Sequence, residues 1–180
     1  MPWNVERFKK CLKTHTAEEK ASKLMESCGA EPQSASRAKK AAYVKCVMDN
    51  FDKQFPHDVR AKVMEECGRK CISTSTIEKA KKIKNSSKNL EELIEGLNKS
   101  HIGGHLRLEG NKIHASYDRC YCGAVKQTKE KFSPTYCNCS RGWYLELFEQ
   151  ALGKPVKVDL LESIVQGAKT CRFIIHMREK

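Results

Sequence analysis

The chain has no apolar run near the roughly 18–20 residues that a membrane-spanning helix needs, so a membrane span is not expected. Its start, "MPWNVERFKK", has no apolar stretch of the kind a secretory signal carries, which makes the cytoplasm the expected compartment. A basic surface patch is scarcely present either. The formal net charge is +12, but lysine and arginine are dispersed over both halves. The one dense run is "EKAKKIKNSSK", 78–88, with Lys79, Lys81, Lys82, Lys84 and Lys88. A solvated helix face explains it more simply than phosphate contacts, so binding of nucleic acid is only an alternative reading. The common C-x₂-C metal knuckle is missing too.

Cysteine is what the chain has in excess: ten in 180 residues. In an exported protein ten cysteines would suggest disulfides. Without an export signal, metal binding or redox chemistry is the stronger expectation. The length is enough to bury a real core in one domain or two small ones.

Residues 1–100 read as helical. "WNVERFKKCLK" places Val5, Phe8, Cys11 and Leu12 on one face. "TAEEKASKLMESCG" has Thr16 as N-cap and ends at Gly29. "SRAKKAAYVKCVMDNFDKQF" carries Cys46, and "HDVRAKVMEECG" stops at Gly68. "KLMESCG" (23–29) matches "KVMEECG" (62–68) at five of seven positions. Each copy follows a helix with a cysteine, Cys11 or Cys46, which suggests two similar helical hairpins. "TIEKAKKIKN" and "LEELIEGLNK" add two shorter helices.

After residue 100 the period changes to two. "HLRLEGNKIHAS" is a hairpin turning at Gly110-Asn111, with Glu109 opposite Lys112, Leu108 opposite Ile113, Arg107 opposite His114 and Leu106 opposite Ala115. "SRGWYLELFEQALGKP" is a helix with Ser140 as N-cap, Gly153 past its end and Pro155 beyond. "VKVDLLESIVQGAKTCRFIIHM" closes as a second hairpin. A turn through 167–170 would set Glu162 opposite Ile175, on the apolar face near Cys171. The expected class is α+β: a helical region 1–100, then a ligand- and metal-binding region 101–180 with an antiparallel sheet and a packed helix.

The cysteines divide by spacing. Cys11, Cys28 and Cys46 sit on apolar helical stripes and read as buried core thiols. Cys67 and Cys71 form a C-x₃-C pair that a turn at Gly68 would fold together. Cys120 and Cys122, with Cys137 and Cys139, give C-x-C-x₁₄-C-x-C. On extended strands residues i and i+2 point the same way, so each pair could converge on one ion. Four thiolates suit Zn²⁺ or an iron–sulfur cluster. A rival reading makes Cys137 or Cys139 a reactive thiolate at the following helix's N-terminus.

The ending "LFEQALGKPVKVDLLESIVQGAKTCRFII", 147–175, resembles the close of the 4-vinyl-reductase-type ligand-binding domain and of bacterial aminothiazoline-carboxylate hydrolases. The shared pattern is a helix, a strand with an "ES" segment, a glycine turn and a Cys-x-Phe strand. The resemblance implies an α/β fold, often dimeric, around a pocket for a small hydrophobic or heterocyclic molecule. In phenol-sensing members a zinc is held by cysteines and a glutamate; carried over, Cys171 matches the final cysteine and Glu162 the carboxylate. This chain departs from the pattern in having no cysteine in "SIVQGAKT" between them, so a missing ligand would come from the CxC pairs. The cysteine-rich chain as a whole resembles a bacterial family. The functional expectation is a zinc-binding protein with a small-molecule sensor or binding role. A metal-dependent hydrolase of a small heterocycle is the alternative.

Overall fold

The computed structural model describes residues 4–126 and 130–177. Six helices come first: α1 (Val5–His15), α2 (Glu18–Glu26), α3 (Arg37–Gln54), α4 (His57–Arg69), α5 (Thr74–Ser86) and α6 (Leu90–Lys99). Four of them begin on a side chain that accepts an otherwise orphaned amide hydrogen: Asn4, Ser36, Ser73 and Asn89. Thr16 does not cap α2 as expected. Ala17 takes that place, and the Thr16 hydroxyl donates instead to the Leu12 carbonyl at 2.8 Å. On α1 the buried residues are Val5, Phe8, Cys11 and Leu12, the face that the spacing predicts.

Strands β1 (His105–Glu109) and β2 (Lys112–Tyr117) follow, then a single turn α7 (Gly123–Lys126). A 3₁₀ turn, Pro134–Cys137, leads into the long helix α8 (Asn138–Leu152), and β3 (Val156–Glu162) and β4 (Cys171–Met177) end the fold. The four strands form one antiparallel sheet in the order β1-β2-β4-β3. The fold is α+β, a helical N-terminal region followed by an antiparallel sheet with a helix packed on it. Among the described residues no helix is long and apolar enough to cross a membrane.

The β1–β2 hairpin has the register that its charge and apolar alternation predicts, from Glu109 opposite Lys112 to Leu106 opposite Ala115. The second hairpin differs. A bulge between Leu160 and Glu162 shifts the register, so Glu162 lies opposite Arg172 while Leu160 faces Phe173 and Val158 faces Ile175. Glu162 therefore leaves the apolar face and forms a partly exposed ion pair with Arg172.

The core has two parts. One gathers α1 to α4 around Phe8, Leu24, Met48, Phe51 and Met64; the other gathers α6, α8 and the sheet around Leu97, Ile113, Phe148 and Phe173. Helices α4 and α8 join the two. Their crossing explains Gly68, which is not the turn that its position suggests. Helix α4 runs on through Gly68 to Arg69. A Cβ at Gly68 would lie 1.9 Å from the Cys139 carbonyl oxygen, and one at Gly142 would lie 1.9 Å from that of Glu65. The two backbones touch there because neither residue has a side chain. Gly29, the equivalent of Gly68 in the first copy, does turn the chain, with φ of +70°.

Candidate functional site

Between the two cores lies a cavity of about 300 Å³. Its walls come from α1, α4, the strand–helix connection after β2, the start of α8 and the first residue of β4. Seven cysteines line it: Cys67, Cys71, Cys120, Cys122, Cys137, Cys139 and Cys171. These are all the cysteines that spacing and resemblance single out as ligands. Glu162 does not reach the cavity, because the bulge turns it outward to Arg172.

Neither CxC pair sits on a strand. Cys120 and Cys122 lie in the connection between β2 and α7. Cys137 is the residue before α8, and Cys139 is already inside that helix, which starts at Asn138 rather than after Ser140. Helical backbone sends residues two apart in different directions. The Cys137 sulfur meets the Ser163 hydroxyl at 2.8 Å, while Cys139 hydrogen-bonds with Cys71. The Cys122 sulfur lies 2.5 Å from the Tyr136 hydroxyl, and the Cys171 sulfur accepts the Ile164 amide at 3.3 Å.

The surroundings set the thiols apart. Cys71 is brought down to about 6 by its hydrogen bond with Cys139 and, against the opposing effect of burial, by the neighbouring Arg7 guanidinium. Cys139 moves the other way, well above its ordinary value, through the same bond and through burial. Burial pushes the Cys137 thiol up to about 12, with the Ser163 hydroxyl opposing, and raises Cys120 as well. Cys11, behind the wall, is lowered and Cys67, in the wall, is raised by the hydrogen bond they share.

The rest of the lining escapes a reading of sequence spacing. Phe8, Tyr117, Tyr121, Tyr136, Trp143 and Tyr144 make much of the wall aromatic, and Arg7 and His101 are its basic side chains. Several rings touch: Tyr117 and Tyr121 at 5.5 Å between centroids, Trp143 and Tyr144 at 5.3 Å, Tyr144 and Phe173 at 4.9 Å. The Tyr144 hydroxyl donates to the Gly103 carbonyl at 2.7 Å and that of Tyr117 to Ser140 at 2.9 Å. Burial raises both phenols, so they stay protonated and uncharged at neutral pH. A local signal existed only for the "HIGGH" segment. There Gly103 and Gly104 both take positive φ, and a Cβ at Gly104 would lie 2.4 Å from the Ser116 carbonyl oxygen.

One further departure concerns the three cysteines read as core thiols. Cys28 and Cys46 form a disulfide, although only Cys11 of the three is fully buried. Cys28 follows α2 and Cys46 lies in α3, a relation that the periodicity of neither helix reveals.

A soft donor set around one space is the arrangement that thiolate-loving metals use. Among the described residues, however, no three His, Cys, Asp or Glu side chains stand close enough together to hold one ion.

The architecture is that of an α+β domain with a cavity between a helical layer and a small antiparallel sheet. The chain belongs to a family of unknown function, DUF6144, whose family model matches residues 5–180. No curated protein matches it. Among solved structures it is similar to a crystal structure of an H-NOX protein from S. oneidensis in the Fe(II) ligation state. That match has a TM-score of 0.52 at 12% identity and covers 97% of this chain and 94% of that one. It is a likeness of fold. A phenol-responsive sensory domain of the transcription activator PoxR, with phenol, matches at a TM-score of 0.45 and 14% identity over 79% of this chain and 74% of that one. A vinyl-4-reductase family protein from Methanocaldococcus jannaschii matches at 0.32 and 14% identity over 91% and 98%. Both of these likenesses are remote.

Proposed function

We propose that this chain is a small-molecule-binding domain of the sensor type whose cavity also holds a thiolate-bound metal, zinc or an iron–sulfur cluster. The supporting observation is the convergence of seven cysteines, from four separate stretches of chain, on one largely aromatic cavity. In this reading region 1–100 supplies one wall through α1 and α4, and region 101–180 supplies the others. The donors would be drawn from Cys71, Cys120, Cys122 and Cys139, with Cys137 and Cys171 beside them, and would have to draw together around the ion, since no three of them stand that close in this structure. A bound metal would supply fixed positive charge and hold these thiols as thiolates. The rings of Tyr117, Trp143 and Tyr144 would enclose a small hydrophobic or heterocyclic molecule, and Arg7 would orient any negative group on it.

Protein purified under reducing conditions and without chelator is expected to contain zinc or iron in simple proportion to the chain. Cys122→Ser and Cys139→Ser should each lose it, and Cys28→Ser should keep it. Elemental analysis that finds neither metal in such protein would remove the metal from the proposal.

A further inference from the structure

The two helical hairpins exchange cysteines. Each sequence copy offers one cysteine in its first helix, Cys11 or Cys46, and one before its glycine, Cys28 or Cys67. In the folded chain Cys46 of the second hairpin is bonded to Cys28 of the first. Cys11 of the first hairpin and Cys67 of the second lie buried in one core cluster where α1 packs on α4, thiol against thiol. Both pairs therefore join the helix position of one copy to the pre-glycine position of the other. One is a disulfide and its counterpart is a pair of thiols.

We infer that Cys11 and Cys67 form a second, reversible thiol–disulfide site, the redox-active counterpart of the Cys28–Cys46 bridge. Two observations carry this independently: the contact between the two thiols, and the oxidised state of the pair in the equivalent position. What separates the pairs is access. Cys28 and Cys46 are partly exposed at the surface of the helical region. Cys11 is 0% and Cys67 3% exposed, but Cys67 forms part of the cavity wall and Cys11 lies behind it. Of the two, Cys67 is the one that a reagent inside the cavity can reach.

The reaction is exchange with a small organic disulfide. Cys67 gives up its proton to the Cys11 sulfur across the hydrogen bond they share, and its sulfur attacks one sulfur of the reagent, whose S–S bond breaks; one half leaves as a thiol and the other stays on Cys67 as a mixed disulfide. The Cys11 sulfur then attacks the Cys67 sulfur and expels the second half as a thiol. Two electrons pass from the protein to the reagent, and the two protons leave with the two thiol products. The result removes one thiol from the cavity wall and links α1 covalently to α4.

The test uses the full chain, treated with 2-hydroxyethyl disulfide, then alkylated and mapped by mass spectrometry without reduction. The expected product is a Cys11–Cys67 cross-link that dithiothreitol reverses, with Cys28–Cys46 present beforehand. Cys11→Ser should stop at the mixed disulfide on Cys67, and Cys67→Ser should leave Cys11 unmodified. Cys11 and Cys67 both remaining alkylatable in treated protein, or Cys67 bridging to Cys71 instead, would overturn the proposal. If a variant does not fold, the map of the unaltered chain decides alone. Cys11 is not a wall residue, so the cross-link can be present or absent whatever the metal analysis finds.

Discussion

Cys137 and Cys139 are two residues apart in sequence and serve different parts of the molecule. Spacing alone groups them as one pair, because on a strand they would point together. They stand at the start of α8, where the backbone rotates about 100° per residue, and so Cys137 meets Ser163 while Cys139 meets Cys71. The residue types of the site were thus legible, but their directions were not, since direction depends on which element the motif adopts. The aromatic wall was less legible still: Tyr144 and Phe8 look like ordinary core residues on their helices. Asp52 shows the same limit and offers a test. It accepts a hydrogen bond from Thr135 at 2.5 Å and pairs with Arg60, so one carboxylate ties α3 and α4 to the turn that carries Cys137. Burial alone would raise its carboxyl, but hydrogen bonds from Ser133, Thr135 and Arg60 prevail and hold it below its ordinary value. A carboxyl lowered on folding stabilises the fold above its unfolded pKa, and the effect is lost as pH falls through the lower folded value. Unfolding stability measured against pH should therefore fall below about pH 4. Asp52→Asn should flatten that part of the profile and cost about 1.5–3 kcal/mol at pH 7. A profile that keeps its shape in the variant would show that the acid sensitivity lies elsewhere.

Elements follow their own sequence where one local rule decides and depart from it where a neighbour does. The β1–β2 register follows from the turn and the cross-strand pairs. The β3–β4 register does not, because a bulge inserts a residue that no periodicity announces. Gly68 is the clearest case, since the sequence offers a helix-ending glycine and the fold uses it as a point of backbone contact with α8. Gly68→Ala and Gly142→Ala each force the crossing apart. Both are expected to lose at least the ~1–3 kcal/mol typical of overpacked cores, by chemical denaturation. The double variant should lose less than the sum, because both glycines serve one contact. Gly123→Ala is the control: nothing lies within 4 Å of the added carbon, and the expected change is within about 0.5 kcal/mol. Helix propensity by itself would favour all three alanines, so equal losses in all three would show that the crossing is not their cause.

Across the whole molecule, the cavity depends on parts of the chain that are far apart, from Arg7 to Cys171. The Cys28–Cys46 bridge fixes one side of the helical layer and closes a loop with a sequence separation of 18. The chain-entropy relation gives such a cross-link about 3 kcal/mol. Reduction of the native protein, or Cys46→Ser, should lower the unfolding free energy by about that amount. An unchanged denaturation midpoint after complete reduction would mean that helix packing alone holds the hairpins together.

The crossed pairing also has a consequence for synthesis. As the chain leaves the ribosome, Cys28 first finds Cys11, its neighbour within the same hairpin, and its proper partner Cys46 emerges about 1–4 s later at ordinary elongation rates. Cys67 arrives later still. The earliest bridge open to the nascent chain is therefore the wrong one, Cys11–Cys28. Such a bridge would leave Cys46 and Cys67 without their native partners until thiol exchange corrected it. Native pairing of this protein is tied to the order in which its two halves are made.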